Sequence, residues 1–298
     1  MDINESYDVV VVGGGAAGLS AALVLGRSRR SVLVIDAGEP RNAPADHMHN
    51  YLGREGAKPS ELLADGREEV GRYGVEVRAG RVSSAARTSG GFALGLEDGT
   101  SVSARRLVLA TGVVDVLPQI PGLAERFGRD VLHCPYCHGW EVADLPLGVV
   151  ASGPDCAERA LLFRQWSKDV LILLNGRPAP QGEDAEKLAA RGIRWVPGEI
   201  ARVVVEDDAV TGVELADGET VNRAALVVTT VPTPDTTLLD AVGGPETPGL
   251  KVVGNAATPF GGVVASAADG MTAGTLLNHD LLLEETASAV AEYRKEAA

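Results

Sequence analysis

Two of the three cysteines in the 298-residue chain are separated by two residues, in the hexapeptide CPYCHG at positions 134–139. A chain that uses cysteine so sparingly is not expected to rely on structural disulfides for its stability. A redox or a metal-binding role remains for Cys134 and Cys137. A structural zinc site normally needs four nitrogen or sulfur ligands, and no second Cys-x-x-Cys or suitably spaced histidine pair completes such a set.

We therefore predict no metal site, and thiol and disulfide chemistry is the first interpretation of the pair. The alternative is that Cys134 and Cys137 are two small buried residues that only pack together. The third cysteine, Cys156, is expected to pack as a small apolar residue in its helix.

The overall composition indicates a globular α/β enzyme of about two domains. The hydrophobic fraction is 45% and there are 36 glycines, which fits many tight turns. The formal net charge of -14 argues against nucleic acid or an anionic membrane surface as a partner. Residues 1–7 lack a basic segment followed by an apolar stretch, and the other apolar runs have strand length, so we expect neither a secretion signal nor a spanning helix. A reducing, cytoplasmic location is expected.

The first third of the chain carries a dinucleotide-binding pattern. Residues 7–12 predict a buried parallel strand and residues 19–25 an amphipathic helix. Between them, a G-x-G-x-x-G frame allows a tight turn, close approach to a pyrophosphate and close helix packing. The frame consists of Gly13, Gly15 and Gly18. The next strand, at 31–35, is followed by Asp36, whose carboxylate can accept a hydrogen bond from a ribose hydroxyl.

The irregular polar segment 39–56 is expected to line a site, because it is too long for a simple connection. His47 and His49 lie in it, and they are either site residues or ordinary surface histidines. The residues that follow predict a helix at 60–73 and strands at 75–79, 92–96 and 101–102, with a hairpin turn at Asp98-Gly99. Residues 107–112 predict a buried strand that ends at a glycine, where parallel sheets commonly meet a cofactor.

A second βαβ pattern occupies the middle of the chain, with predicted strands at 147–151 and 170–174 and a helix at 156–166. On its glycine frame, Ala151 and Cys156 replace two of the glycines, and only Gly153 remains. Pro154 removes an N–H group at the helix start that could have faced a phosphate. An NADP site also needs cationic residues just after the second strand to bind the 2′-phosphate, and Arg177 is the one cation there. Two interpretations stay open: a nucleotide-binding fold that has lost much of its affinity for nucleotides, or an atypical but working NADPH site.

Two proline-containing segments, at 114–121 and 231–249, mark crossings between domains. Residues 250–255 predict a strand, and residues 261–277 an Ala- and Gly-rich helix suited to close packing on a cofactor. The last turns of that helix, at 281–293, mix apolar and acidic residues as a surface helix should. This C-terminal segment most simply completes the first domain. We therefore predict an α/β fold of two Rossmann-like, doubly wound, three-layer domains. The first is discontinuous, at 1–116 and 244–298, and the inserted second domain at 117–243 carries the cysteine pair.

In this order, the glycine frame, the central Cys-x-x-Cys, the second βαβ unit and the Gly254-Asn255 return resemble the low-molecular-weight thioredoxin reductase family of FAD-dependent disulfide oxidoreductases. The resemblance covers nearly the whole chain. It implies that the discontinuous domain binds FAD, that the inserted domain is NADPH-domain-like and carries the redox cysteines, and that the protein is a homodimer.

The resemblance also implies which residues contact FAD. Asn50, in the sequence HNYLG, resembles the flavin-contacting asparagine of the Glu-Asn-Phe-Pro-Gly motif, and Thr111-Gly112 match the Ala-Thr-Gly motif. The full implied set is Gly13, Gly15, Ala16, Ala17, Gly18, Asp36, Ala37, Asn50, Val82, Ala110, Thr111, Gly112, Gly254 and Asn255.

Three departures from the common reductases refine the resemblance. His138 stands where they have an aspartate acid/base, Gly254-Asn255 replaces a Gly-Asp pair, and the second nucleotide motif is degraded. Together these features resemble the dithiol oxidases of the gliotoxin and holomycin pathways of antibiotic biosynthesis. Those enzymes close a disulfide in a small natural product and pass the electrons to oxygen.

The implied catalytic residues are Cys134, Cys137 and His138. A substrate dithiol would exchange with Cys134, and Cys137 would pass two electrons to FAD. Molecular oxygen would then reoxidise the flavin and be reduced to hydrogen peroxide. Thiolates react rather than thiols, so His138 is expected to move the proton. His133 either assists or caps a strand end, and Tyr136 either contacts substrate or is a spacer.

Three other functions stay open. The same fold with electron transfer in the opposite direction, from NADPH to a disulfide, would be an NADPH-dependent thioredoxin reductase. A protein electron donor such as ferredoxin would make it a different reductase. A non-enzymatic FAD-binding redox sensor would cycle once and stop, and the adjacent His138 argues against that function.

Overall fold

The computed structural model describes residues 5–297. The expectation that residues 1–7 form no secretion signal therefore falls in part on residues 1–4, outside the described residues. Chain contacts divide the protein into two compact units: unit 1 is Met1–Ala43, Ala57–Val114 and Pro232–Ala298, and unit 2 is Pro44–Gly56 and Asp115–Val231.

The α-helices are α1 (Ala16–Arg27), α2 (Pro59–Gly71), α3 (Pro135–His138), α4 (Cys156–Phe163), α5 (Gly182–Ala190), α6 (Thr237–Ala241) and α7 (Val263–Glu296), with short 3-10 helices at Ala124–Arg126 and Gly254–Ala256. The strands are β1 (Glu5–Val12), β2 (Val32–Asp36), β3 (Glu76–Ala79), β4 (Val82–Thr88), β5 (Gly91–Leu96), β6 (Ser101–Leu109), β7 (Val114–Val116), β8 (Val131–Leu132), β9 (Leu147–Val150), β10 (Val170–Leu173), β11 (Arg194–Val196), β12 (Ile200–Glu206), β13 (Ala209–Leu215), β14 (Thr220–Asn222), β15 (Ala225–Val227), β16 (Val231–Thr233) and β17 (Leu250–Val252).

Unit 1 is built on a seven-stranded sheet in the order β3-β2-β1-β6-β5-β4, with β17 also paired to β6. The strands β3, β2, β1, β6 and β17 are parallel, whereas β4 and β5 are antiparallel additions. In β1, Val9 and Val11 join one core cluster while Val10 joins another. Both faces of the second half of the strand are therefore buried, which explains its apolar run from Val9 to Val12.

The long helix α7 packs closely on α1 through glycines. A Cβ atom at Gly270 would lie 1.9 Å from the backbone oxygen of Ala17, and one at Gly274 would lie 2.4 Å from a Val24 methyl group. Small residues at these two positions let the helix backbones approach each other. The predicted helix thus begins near its expected start, and residues 281–293, expected as its last turns, belong to the same helix of 34 residues, which ends at Glu296.

Unit 2 contains a five-stranded parallel sheet in the order β11-β10-β9-β15-β8 and a three-stranded antiparallel sheet in the order β12-β13-β14. The strands β9 and β10 are buried on both faces, as the apolar sequence predicts. β7 and β16, where the chain passes between the units, pair with each other. The predicted α/β architecture with parallel, Rossmann-like sheets is confirmed.

The contact-based units differ from the predicted boundaries at three places, the smallest being residues 115–116, which belong to unit 2. Residues 232–243 belong to unit 1, because Leu238 and Val242 pack in the same core cluster as Val82 of β4. Residues 44–56 belong to unit 2. The assignment of 1–116, 117–243 and 244–298 to cofactor-binding domains stays a prediction.

Among residues 5–297, every helix is too short or too polar to span a lipid bilayer.

The packing of α7 on α1 gives a first prediction. Gly270→Ala should lower the free energy of unfolding by about 1–3 kcal/mol, because the added methyl group would overlap the Ala17 carbonyl. Gly71→Ala in α2 is the matched control, because nothing lies within 4 Å of its added methyl group. We expect that control to be neutral or stabilising. Denaturant unfolding followed by circular dichroism measures both, and equal effects of the two substitutions would contradict the close packing.

Candidate active site

The cysteine pair forms a disulfide, Cys134–Cys137, at the start of the short helix α3. Cys134 is the N-cap residue in an extended conformation, and Pro135 takes the first helical position, where its missing N–H costs nothing. One helical turn brings the two Cα atoms to 5.2 Å, within the range a disulfide can bridge. The pair follows β8, so the end of a parallel strand presents it.

His138 ends α3 directly after Cys137. Its Nδ1 atom is buried and has no hydrogen-bond partner within the described part of the chain. Burial lowers the pKa of the imidazole below its usual value of 6.5, and the positive charge of His49 acts in the same direction against the opposing effect of Glu141. His138 is therefore neutral at neutral pH, with a ring nitrogen able to accept a proton.

Tyr136, between the two cysteines, lies beside an open cavity of about 510 Å³. Its ring is 66% exposed and meets the ring of Trp166 edge-on, with the centroids 5.7 Å apart. The cavity lining consists of Tyr136, Leu161, Leu162, Gln165, Trp166 and Arg191. A volume of this size, with aromatic and aliphatic walls and two polar side chains, suits the body of a small molecule.

Asn50 lies in unit 2 with the disulfide, and its Nδ2 atom donates a hydrogen bond of 2.5 Å to the carbonyl of Tyr136. Its backbone is left-handed, with φ of 62°, a conformation that few non-glycine residues adopt. His49 precedes it, and its two ring nitrogens face Glu55 at 2.6 Å and Glu141 at 3.3 Å.

The predicted glycine frame forms the turn between β1 and α1 in unit 1. Cβ atoms at Gly13 and Gly18 would collide with the backbone, 2.3 Å from the Ala110 oxygen and 1.9 Å from the Gly13 oxygen respectively. At Gly15, in contrast, an added Cβ would meet nothing within 4 Å. Gly15 is also the N-cap of α1, which has no side-chain cap and no acidic residue in its first turn. The open space in front of an uncapped helix N-terminus, begun by Ala16 and Ala17, fits the pyrophosphate of FAD.

Asp36 ends β2 beside this turn. Its Oδ1 atom accepts hydrogen bonds from the backbone N–H groups of Gly14 at 3.1 Å and Gly38 at 3.3 Å. Its Oδ2 atom accepts one from Arg67 of α2 at 3.1 Å. The carboxylate is thus oriented by protein groups, and it retains lone-pair capacity for a ribose hydroxyl. Ala37 follows it directly.

The remaining predicted cofactor residues of unit 1 lie on three other strand ends. Ala110 donates its N–H to Val12 at 2.8 Å, and Thr111-Gly112 leave β6 with a left-handed glycine, φ 68°. Val82 begins β4 and is buried. These positions are consistent with a cofactor that lies across the sheet edge.

Gly254-Asn255 follow β17 in a 3-10 turn. Gly254 has φ of 65°, and its N–H donates to the carboxylate of Asp269 in α7 at 2.8 Å. The Asn255 amide donates within its own loop, to the carbonyls of Thr258 at 3.1 Å, Pro259 at 3.3 Å and Gly261 at 2.8 Å. Asn255 thus shapes this turn, and Asp269, which the sequence pattern did not reveal, accepts the N–H of the residue before it.

The glycine turn of unit 2 differs in charge from that of unit 1. A Cβ at Gly153, the counterpart of Gly15, would lie 2.7 Å from an oxygen of the Asp155 carboxylate. Burial opposes ionisation of Asp155, but hydrogen bonds from Arg159 and Thr229 prevail and lower its pKa. An ionised carboxylate therefore lies at the N-terminus of α4. Arg177, the candidate contact for a 2′-phosphate, donates instead to the carbonyl of Ser152 at 2.8 Å.

Other residues singled out by the sequence lie as follows. Cys156 is half-buried as the first residue of α4, and burial raises the pKa of its thiol, as expected of a packing residue. The His133 ring stacks on Phe127, with the centroids 5.4 Å apart. His47 is exposed in the loop. Within residues 5–297, no group of three or more His, Cys, Asp and Glu side chains is arranged to hold a metal ion.

The residues of these sites missed at the level of sequence include Glu55, Arg67, Glu141, Asp155 and Asp269. Glu55, Arg67 and Glu141 reach their partners only through tertiary packing, and nothing in their local sequence indicates this. Asp155 carried a usable signal, because an acidic residue in a glycine turn that should face phosphate is unfavourable.

Comparisons with known proteins agree with this geometry. A profile of the pyridine nucleotide-disulphide oxidoreductase family matches residues 7–259. The crystal structure of HlmI superimposes with a TM-score of 0.95 at 44% identity, covering 98% of each chain. A probable thioredoxin reductase of Arthroderma benhamiae is 36% identical over 57% of this chain and 44% of its own length. Thioredoxin reductase tcpT of Claviceps purpurea is 38% identical over 61% of this chain and 60% of its own length.

The match thus spans less than two thirds of either fungal protein. The resemblance to thioredoxin reductases is confirmed, and the glycine turn of unit 1 fits the cofactor that these flavoproteins bind. The chain belongs to the pyridine nucleotide-disulphide oxidoreductase family, as an FAD-binding flavoprotein that is similar to thioredoxin reductases.

Proposed function

We propose that the protein is a dithiol oxidase, which forms an intramolecular disulfide in a small-molecule dithiol of natural-product type and passes the electrons to oxygen. The observation that carries this proposal is the Asp155 carboxylate against Gly153. A negative charge there opposes the pyrophosphate of NADPH, and Arg177 is already engaged by Ser152. Electrons are then expected to enter through a thiol substrate rather than through NADPH.

The exchange steps follow from the chemistry of the cysteine pair. A substrate thiolate attacks the sulfur of Cys134, the Cys134–Cys137 bond breaks, and Cys137 leaves as a thiolate. The second substrate thiolate then attacks the substrate sulfur of the mixed disulfide and displaces Cys134. The substrate leaves as a disulfide, having lost two electrons and two protons, and the cysteine pair is reduced.

His138 is the proton acceptor in these steps. The neutral imidazole takes the proton of a substrate thiol, so that the attacking thiolate forms at neutral pH. Burial supports this role because it disfavours the imidazolium and keeps a nitrogen free to accept.

FAD would be held in unit 1, with its pyrophosphate at Gly15 and its ribose at Asp36. When bound, it supplies a two-electron acceptor for the reduced cysteine pair and a donor to molecular oxygen, which takes up two protons and leaves as hydrogen peroxide. The protein's own contribution is to hold the disulfide and to move the protons. A homodimer and a cytoplasmic location, both implied by resemblance or composition, stay predictions.

The cavity at Tyr136 and Trp166 is the proposed site for the body of the substrate. Its aromatic walls favour a flat or apolar molecule, and Gln165 and Arg191 offer hydrogen-bond donors to carbonyl or carboxylate oxygens. A dithiol bound there would adjoin the helix that carries both cysteines.

The direction of electron flow is the first test. Under anaerobic conditions, excess dithiothreitol should bleach the absorbance of the oxidised flavin, whereas excess NADPH should not. Air should restore the absorbance and yield one hydrogen peroxide per dithiol oxidised, over many turnovers. Cys137→Ser is the control, which should bind FAD and remain oxidised with the dithiol. Rapid bleaching by NADPH would make the protein a reductase, and a single turnover would favour a redox sensor.

The role of His138 predicts a pH dependence. The wild-type rate of flavin reduction by a dithiol should fall as the pH drops through the lowered pKa of His138, so this acid limb lies below pH 6.5. His138→Asn should lose the limb and reduce the rate about 100-fold. The unfolded state binds the proton more tightly, so this histidine also destabilises the fold as the pH falls below 6.5, and the variant should lose less stability there. An unchanged acid limb in the variant would assign proton transfer to another group.

The cavity predicts a selective effect on substrate binding. Tyr136→Ala should raise the KM of a dithiol with an aromatic body about tenfold, because one aromatic contact is lost, and should leave the KM of dithiothreitol unchanged. Tyr293→Ala is the matched control, an exposed tyrosine on α7. Steady-state peroxide assays with both dithiols give the values. Equal effects on the two substrates would show that the cavity does not bind the substrate body.

A further inference from the structure

We propose that His49 is a positioning residue for the redox centre, because its ring bridges Glu55 and Glu141 and holds the loop 44–56 on the helix that carries the disulfide. These three side chains are called the His49 bridge. The inference deepens the proposed function, and its catalytic meaning rests on that function. The structural and electrostatic parts can be tested without turnover.

The geometry of the bridge places a carboxylate at each ring nitrogen. Nδ1 of His49 lies 2.6 Å from Oε1 of Glu55, and Nε2 lies 3.3 Å from Oε1 of Glu141. The ring itself is 20% exposed, whereas both carboxylates reach solvent. Ionised carboxylates are acceptors only, so the ring donates to both of them only when both of its nitrogens carry a hydrogen.

Glu55 extends the bridge to the next residue. Its second oxygen, Oε2, accepts the backbone N–H of Asn50 at 2.8 Å. The His49 contact first, and the Asn50 N–H second, lower the pKa of Glu55, so it is a carboxylate in this arrangement. Its two oxygens thus fix both the ring of His49 and the backbone of its neighbour.

Asn50 completes the connection to the redox helix. The left-handed backbone at φ 62° is sparsely populated by non-glycine residues and persists where surrounding contacts fix it. In that conformation Nδ2 donates to the carbonyl of Tyr136, between the two cysteines. Contacts therefore run from Glu141, three residues beyond His138, through His49, Glu55 and Asn50 back to Tyr136.

This closed ring of contacts matters because α3 has only four residues. A helix of one turn has almost no stability of its own. The His49 bridge supplies an anchor on each side of His138, at Tyr136 and at Glu141. It also places two opposite charges near His138, and these are the charged groups that act on its ring besides the effect of burial.

A direct titration of His138 tests the bridge. With five histidines in the chain, the ring signals of the flavin-bound protein can be followed by NMR against pH and assigned with His138→Asn. His49→Gln removes a positive charge and should raise the pKa of His138. Glu141→Gln removes a negative charge and should lower it. Loss of packing alone would move both variants in the same direction.

His47→Gln is the matched control, because it changes an exposed histidine of the same loop. It should leave the pKa of His138 unchanged. A second readout is the rate of iodoacetamide reaction with Cys134 in the dithionite-reduced protein, which should fall several-fold in His49→Gln at neutral pH. If His49→Gln does not fold, Glu55→Gln replaces it, with the same expected fall in thiol reactivity.

Shifts of the His138 pKa in opposite directions, together with slower alkylation, support the bridge. Shifts in the same direction, no shifts, or an equal effect of His47→Gln would overturn it. Wild-type protein that oxidises no dithiol would refute the proposed function instead, and the titration would still decide whether the His49 bridge exists.

Discussion

A reactive disulfide must be held in one orientation, and the helix that carries it here is too short to do so alone. α3 spans four residues, and its stability comes from what is packed against it. Pro135 fixes its first turn, the Trp166 ring lies 2.9 Å from where a Cβ at Gly139 would be, and Asn50 holds the Tyr136 carbonyl. Gly139 is therefore needed for close approach, and the loop 44–56 belongs to the redox centre.

The two glycine turns differ in one carboxylate, which changes the space and the charge in front of the helix. Both units place a glycine before a helix at the end of a parallel strand, and both helices could receive a phosphate. In unit 1 the space at Gly15 is open, and the nearest acid, Asp36, is directed to the Gly14 and Gly38 N–H groups and to Arg67. In unit 2 the Asp155 carboxylate takes the corresponding place. The difference between the two turns is therefore both electrostatic and steric.

The sequence predicted the parts of the fold that depend on local pattern. β1, β2, β9 and β10 are continuous apolar runs because both faces of each are buried, and the glycine frame was readable because backbone contacts at Gly13 and Gly18 exclude a side chain. The strands of the sheet β12-β13-β14 were missed. β12 and β13 mix buried with exposed positions, and β14 has only three residues, so none of them shows the continuous apolar run of a strand that is buried on both faces.

Features set by tertiary contacts were the least predictable. Asn50 was expected at the flavin from its motif, and the structure groups it with the disulfide through its bond to Tyr136. The two possibilities for His49 could not be separated, because Glu55 and Glu141 are 6 and 92 residues away along the chain. Helix α6 was hidden among prolines, and its burial against β4 moved the boundary of unit 1 to residue 232.

Proton transfer connects these features. In the proposed reaction, oxidation of a dithiol releases two protons as the thiolates form. The redox helix then needs a base whose pKa is closer to that of a thiol than the pKa of a carboxyl group is. A histidine meets this need, and burial keeps it neutral at the cost of some basicity. Burial is the largest cause of the lowered pKa of His138, and Glu141 and His49 modify it in opposite directions. A carboxylate at the same position would already be ionised but would be a much weaker base. The histidine next to Cys137 and the Asp155 carboxylate thus both support the proposed dithiol oxidase, because the first supplies a base for a thiol and the second opposes a phosphate.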